Sequence, residues 1–95
     1  MRIIGQAAIN EFAAKDAQSR EPLMHWYRVT KQAAWQNLAE VRSDFPQADP
    51  VEGFTVFNIA GNRNRLIALI KYRWQVVYIR HILTHNEYAK EKWKS

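Results

Sequence analysis

The chain of 95 residues has no cysteine, so disulfides, thiolate metal cages and a cysteine nucleophile are excluded. Only three glycines occur, too few for a glycine-rich phosphate loop. No apolar run approaches the roughly 18 residues that a membrane-spanning helix needs, and the opening Met1-Arg2-Ile3-Ile4-Gly5-Gln6 is too short in its apolar part for a signal peptide. A small cytoplasmic domain covering residues 1–95, with no membrane association, is therefore expected. Acid is also scarce in one place: no Asp or Glu occurs between Glu52 and Glu87, while Arg63, Arg65, Lys71, Arg73 and Arg80 all fall there. Such a cationic interval attracts anions, nucleic acid foremost. The plainer alternative is a solvated basic sheet edge that resists aggregation.

What is present suits one globular core. The hydrophobic fraction is 47%, with four Trp, four Tyr and four Phe to fill the interior. Arg2 to Gly5 reads as a short strand. Ala7, Ala8, Ile9, Phe12, Ala13 and Ala17 recur at helical spacing and predict a helix over about 7–18. Pro22 suits a helix start, and Leu23, Trp26, Tyr27, Ala33, Ala34, Leu38 and Val41 continue a helical stripe to about Val41, with a break near Ala33. The turn-rich stretch Ser43 to Pro50 then leads to runs 54–59, 65–72 and 76–83, rich in Val, Ile, Tyr and Phe and joined by short connections, the pattern of antiparallel hairpins. Thr84-His85-Asn86-Glu87 has the form of a capping box opening a last helix over about 85–94. The fold class that follows is α+β, with N-terminal helices packed on an antiparallel sheet and a short C-terminal helix.

Strand alternation places Arg65, Ile67, Leu69 and Lys71 on one face. An even hairpin through Arg73-Trp74 puts residue 71 opposite 76 and residue 67 opposite 80. Arg65 and Arg80 are then diagonal neighbours able to share one anion. Leu66, Ala68 and Ile70 with Val77, Ile79 and Leu83, and His81 among them, are expected on the face that packs against the helices. His85 follows directly, with Tyr88 one helical turn on. Cleaving RNA by the 2′-hydroxyl route requires proton transfer at two oxygens and cations or donors around the extra charge on phosphorus. His85 can exchange protons and arginine supplies the charge. Tyr88 can stack on a base or assist proton transfer. The plainer alternatives are that His85 merely starts a helix and Tyr88 pins it to the sheet. His81, His85 and Glu87 are close in sequence, but a strand-to-helix change spoils the spacing for chelating zinc, so no metal and no cofactor are expected.

Two stretches also resemble a known family. Val56-Phe57-Asn58-Ile59-Ala60-Gly61-Asn62-Arg63-Asn64-Arg65-Leu66-Ile67 is similar to the central hairpin of the HigB family of bacterial toxins. Val77-Tyr78-Ile79-Arg80 through Thr84-His85-Asn86-Glu87-Tyr88 resembles that family's closing signature, and Trp26, Trp35 and Asp44-Phe45-Pro46 fit as well. The likeness spans about residues 4–90. It implies a RelE/ParE-like fold with a basic RNA-binding concavity and a metal-independent messenger-RNA endonuclease acting on translating ribosomes. It further implies a HigA-like helix-turn-helix antitoxin that forms an oligomeric complex with the toxin. Carried over by motif, Arg65, Arg80, His85 and Tyr88 become the catalytic set; Arg63, Lys71 and Arg73, from the same cationic interval, are the candidates for binding RNA. Other branches of the superfamily inhibit gyrase, and a plain nucleic-acid-binding module would need the same cations. Fold alone does not choose among these.

Overall fold

The computed structural model describes residues 1–94; Ser95, the last residue of the expected domain, lies outside them. In chain order the elements are β1 (Arg2–Ile4), α1 (Gln6–Lys15), a 3₁₀ turn (Ala17–Ser19), α2 (Arg20–Gln32), α3 (Leu38–Asp44), β2 (Asp49–Val51), β3 (Phe54–Ile59), β4 (Asn64–Lys71), a second 3₁₀ turn (Tyr72–Trp74), β5 (Val76–Thr84), α4 (His85–Ala89) and a third 3₁₀ turn (Lys92–Lys94). The sheet order is β1-β5-β4-β3-β2. The α+β class read from the sequence holds, with one addition: β1 joins β5 in parallel, while the other three pairings are antiparallel. A parallel neighbour needs a long crossover, and the helices between β1 and the rest of the sheet supply it.

Gly5 permits the sharp passage from β1 to α1. Its φ is +103°, and a Cβ there would come within 3.0 Å of the Ile79 carbonyl oxygen. In α2, Leu23, Trp26 and Thr30 recur at a spacing of three and four and are all buried. The helical stripe breaks over 33–37, at the interruption expected near Ala33. Trp35 leaves the helical path to bury its indole, with Nε1 donating to Asp44 Oδ2 at 2.9 Å. Asn37 then caps α3 by accepting from the Glu40 N–H. The stretch 43–50, read as a turn alone, ends in the short edge strand β2. At the other end of the chain the last helix stops at Ala89, short of the expected 94. Glu91, at φ 60°, turns the chain back before the final 3₁₀ turn.

The main core lies between helices and sheet, where Ile9, Leu23, Trp26 and Val41 meet Phe57, Leu66, Ala68, Val77 and Ile79. Trp26 and Phe57 pack edge to face at 5.5 Å. Leu66 is fully buried here, and its truncation to Ala should cost about 2–5 kcal/mol. The opposite sheet face carries a smaller cluster of Val56, Ile67 and Trp93, flanked by Val51, Phe54, Leu83 and Tyr88.

The β4–β5 hairpin contains the detail that matters most for function. Lys71 pairs with Val76 as expected, and Ala68 with Ile79, but Ile67 pairs with His81. Arg80 is thus an extra residue in a β-bulge. Beyond it every β5 side chain is displaced by one. His81 and Leu83 therefore leave the helix-packed face assigned to them from alternation and join the open one, while Ile82 packs against the helix-side core.

Candidate active site

Arg65 stands near the start of β4 on the open sheet face, opposite Asn58 on β3 and Leu83 on β5. Its Nη1 donates to the carbonyls of Asn62 and Asn64 at 3.1 and 3.0 Å. Those bonds hold the fork while leaving Nη2 3.4 Å from His85 Nδ1. A guanidinium only donates, so this contact is a hydrogen bond in the tautomer that leaves Nδ1 free to accept.

His85 is exposed at the first position of α4. The capping box forms as read: the Glu87 N–H donates to Thr84 Oγ1 at 3.2 Å and the Thr84 N–H donates to Glu87 Oε1 at 2.9 Å. The His85 N–H donates to the Arg63 carbonyl at 2.9 Å, which ties the helix start to the β3–β4 turn. The imidazole thus stands on a doubly anchored backbone.

Tyr88 lies under the same guanidinium, with Arg65 Cζ 5.6 Å from its ring centroid. It is also stacked on Trp93, centroids 5.3 Å apart and planes at 14°. The ring is thus engaged both by a cation and by a second ring.

Arg80 does not reach Arg65 as a diagonal neighbour. The bulge sets Leu83, not residue 82, opposite Arg65, and the Arg80 guanidinium lies over Phe54 at 5.9 Å. The two arginines share the open face but stand about 10 Å apart along the strands. Arg63 is also engaged, its Nε 3.1 Å from Asp16 Oδ2. Lys71 and Arg73 are at the far end of β4, roughly 20 Å from Arg65 along the strand, with Arg73 over the ring of the exposed Trp74.

Other residues around the site escaped the sequence reading. Arg42, Gln47 and Asn58 line an open concavity of about 600 Å³ together with Arg65 and Tyr88. Arg42 Nε donates to the Ala48 carbonyl at 2.9 Å, and Asn58 Nδ2 donates to Gln47 Oε1 at 2.6 Å. Asn58 could have been found from the hairpin register, because Gly61 marks the turn and pairs it with Arg65. Arg42, on α3 and outside the cationic interval, had no such signal. Among the described residues no three His, Asp or Glu are grouped to hold a metal ion, and no helix is long and apolar enough to cross a membrane.

Residues 19–91 match the HigB toxin family, described as the RelE-like toxic component of a toxin-antitoxin system. The chain belongs to the HigB toxin family. Relatives match nearly end to end. The mRNA interferase HigB of Escherichia coli O6:H1 is 32% identical over 93 residues, 95% of this chain and 90% of the relative. The mRNA interferase toxin HigB of Escherichia coli K12 and the mRNA interferase HigB of Shigella flexneri are each 29% identical over 91 residues, 93% of this chain and 88% of the relative. Membership in the HigB family brings an antitoxin partner, and it gives the Arg65–His85–Tyr88 constellation a chemical setting.

Proposed function

We propose that this HigB-family toxin is an mRNA endonuclease that inhibits translation, with Arg65 and His85 at its reacting centre. The observation that carries the reading is the 3.4 Å approach of the Arg65 guanidinium to the exposed His85 imidazole. Arg65, a phosphate-binding fork, lines the concavity with Arg42, while His85, a proton carrier, lines a second hollow with Arg63 and Asn64, and this contact joins the two. The names of the Escherichia coli relatives support the same activity.

In the reaction the 2′-hydroxyl passes its proton to solvent water as it attacks phosphorus, the bond from phosphorus to the 5′-oxygen breaks, and that oxygen leaves. Arg65 turns from Nδ1 to a non-bridging oxygen and offsets the charge that builds there. The ring so released takes up a proton and, as general acid, delivers it to the 5′-oxygen. Tyr88 holds the guanidinium in register from below. Arg80, displaced along the sheet by the bulge, contacts a neighbouring nucleotide, and Lys71 and Arg73 follow the backbone beyond it. Arg42 lines the other wall of the cleft. No step requires a metal ion. The toxin acts in the cytoplasm on mRNA held by translating ribosomes, and a HigA-like helix-turn-helix antitoxin holds it inactive in an oligomeric complex.

The test is primer-extension mapping of transcripts after brief expression of the wild type and of His85→Ala. Discrete cuts within translated regions, absent in the variant while antitoxin binding persists, support the reading. Intact transcripts with a DNA-damage response would indicate a gyrase inhibitor instead. Intact transcripts with salt-sensitive RNA binding would indicate a binding module.

A further inference from the structure

Asp16 ends α1, 47 residues before Arg63, yet its carboxylate reaches into the turn that carries the site. Oδ2 accepts from Ser19 Oγ at 2.9 Å, Arg63 Nε at 3.1 Å and Asn64 Nδ2 at 3.3 Å, while Arg63 Nη2 lies 3.5 Å from Oδ1. Asn64 Nδ2 also donates to Ser19 Oγ at 2.5 Å, and both of those residues are buried. The turn held in this way spends its carbonyls on the site. Asn62 and Asn64 accept from the Arg65 side chain, and Arg63 accepts from the His85 N–H.

The ion pair with Arg63 is by itself a weak reason for a formal charge there, beside the hydrogen bonds that Ser19 and Asn64 already donate. The Arg63 side chain is 54% exposed, and ion pairs of that kind contribute only about 0–1 kcal/mol. Placement is the stronger reason, because an error of about 1 Å between reacting groups can cost about 100-fold in rate. We infer that Asp16 is a positioning residue: through Arg63 and Asn64 it sets the 62–64 backbone, and that backbone sets Arg65 against His85. The catalytic meaning of this inference rests on the proposed endonuclease reading. It also reassigns Arg63 from RNA contact to scaffold.

The experiment compares Asp16→Ala, Arg63→Met and wild type, as full-length toxin freed from antitoxin, on a translated mRNA. The maximal cleavage rate is expected to fall about tenfold or more in both variants, with the half-saturating RNA concentration changed less than about threefold. In NMR spectra of the free toxin, the Arg65 Nε–H and His85 ring signals should shift or broaden in both, while the Trp74 indole signal at the far end stays in place. Wild-type maximal rates would overturn the inference. So would tighter RNA binding by Asp16→Ala alongside weaker binding by Arg63→Met, the signature of an Arg63 that touches RNA. Should Asp16→Ala fail to fold, Arg63→Met decides, since its guanidinium lies outside the buried part of the cluster. If the wild type cuts no RNA, the endonuclease reading fails, and unaltered Arg65 and His85 signals would separately overturn the positioning role.

Discussion

Arg65 is held between two rings of α4: its Nη2 is 3.4 Å from His85 Nδ1, and its Cζ is 5.6 Å from the centre of Tyr88. Two carbonyls of the preceding turn fix the same guanidinium from behind. A lysine ammonium is a point charge and cannot reproduce a planar fork with that many fixed donors. Arg65→Lys is therefore expected to lose about 100- to 1000-fold in cleavage rate, about 2.7–4 kcal/mol of barrier, by analogy with a lost oxyanion donor. Rates of mRNA cleavage at saturating toxin check this. A lysine variant within a few-fold of wild type would mean that charge alone is sufficient.

Tyr88 meets both Arg65 and Trp93 through its ring, so the ring is expected to matter more than the hydroxyl. Tyr88→Phe should keep both melting temperature and cleavage rate close to wild type. Tyr88→Ala should lower both, since it removes the ring against Arg65 and one side of the Trp93 stack. A large rate loss in the phenylalanine variant with unchanged stability would instead place the phenol in proton transfer.

The acid limb of stability should report Asp16. Hydrogen bonds from Arg63 foremost, then from Ser19 and Asn64, hold its carboxyl down to about 2, against about 3.9 for an unfolded chain. A depressed folded value means that the unfolded state binds the proton first as pH falls. The contribution is complete above about pH 4 and is lost as pH falls through about 2. Asp16→Asn should therefore melt below wild type at pH 6, with the gap closing toward pH 2. A gap constant across that range would detach the charge from stability.

Inside the core, Thr30 Oγ1 and Trp26 Nε1 are buried and have no hydrogen-bond partner among the described residues. An unsatisfied buried polar group costs about 1–3 kcal/mol. Thr30→Val removes one such group and keeps the branched shape, so an increase of about 1 kcal/mol, or roughly 4–8 °C in Tm for a domain of this size, is expected. Thermal unfolding monitored by circular dichroism checks it. A lower Tm would reveal an ordered water serving the hydroxyl.

Lys71 shares the open sheet face with Arg65 but stands about six residues, roughly 20 Å, along β4. Its removal should matter only for RNA long enough to span that distance. In Lys71→Ala the log–log slope of affinity against salt should fall by about one for long RNA and stay the same for very short RNA. Equal slopes for long RNA would confine the interface to the Arg65 end.

Much of this site could be read along the chain because the signals are local. Thr84 and Glu87 announce a helix start within four residues, and that alone puts His85 at an exposed first turn beside the end of β5. Gly61 marks the hairpin that presents Arg65. The partnership of Arg65 with His85 and Tyr88 follows from those two facts. The pairing with Arg80 did not, because one unpaired residue reverses the outcome of strict alternation. Nothing in the local sequence at Ile79-Arg80-His81 states that the ladder slips there.

The amino-acid sequence by itself determined the main helices, the strands β1, β3, β4 and β5, the strand faces up to the bulge, the α4 cap and the cationic character of the β3–β5 region, since propensity, alternation and capping act over a few residues. Tertiary structure alone decided that Arg80 leaves Arg65, that Trp93 covers Tyr88, that Arg42 lines the cleft and that Asp16 reaches across to hold Arg63. Those contacts join segments far apart in the chain. Their geometry depends on how the helices seat on the sheet, a sum of many packing interactions that no short stretch of residues encodes.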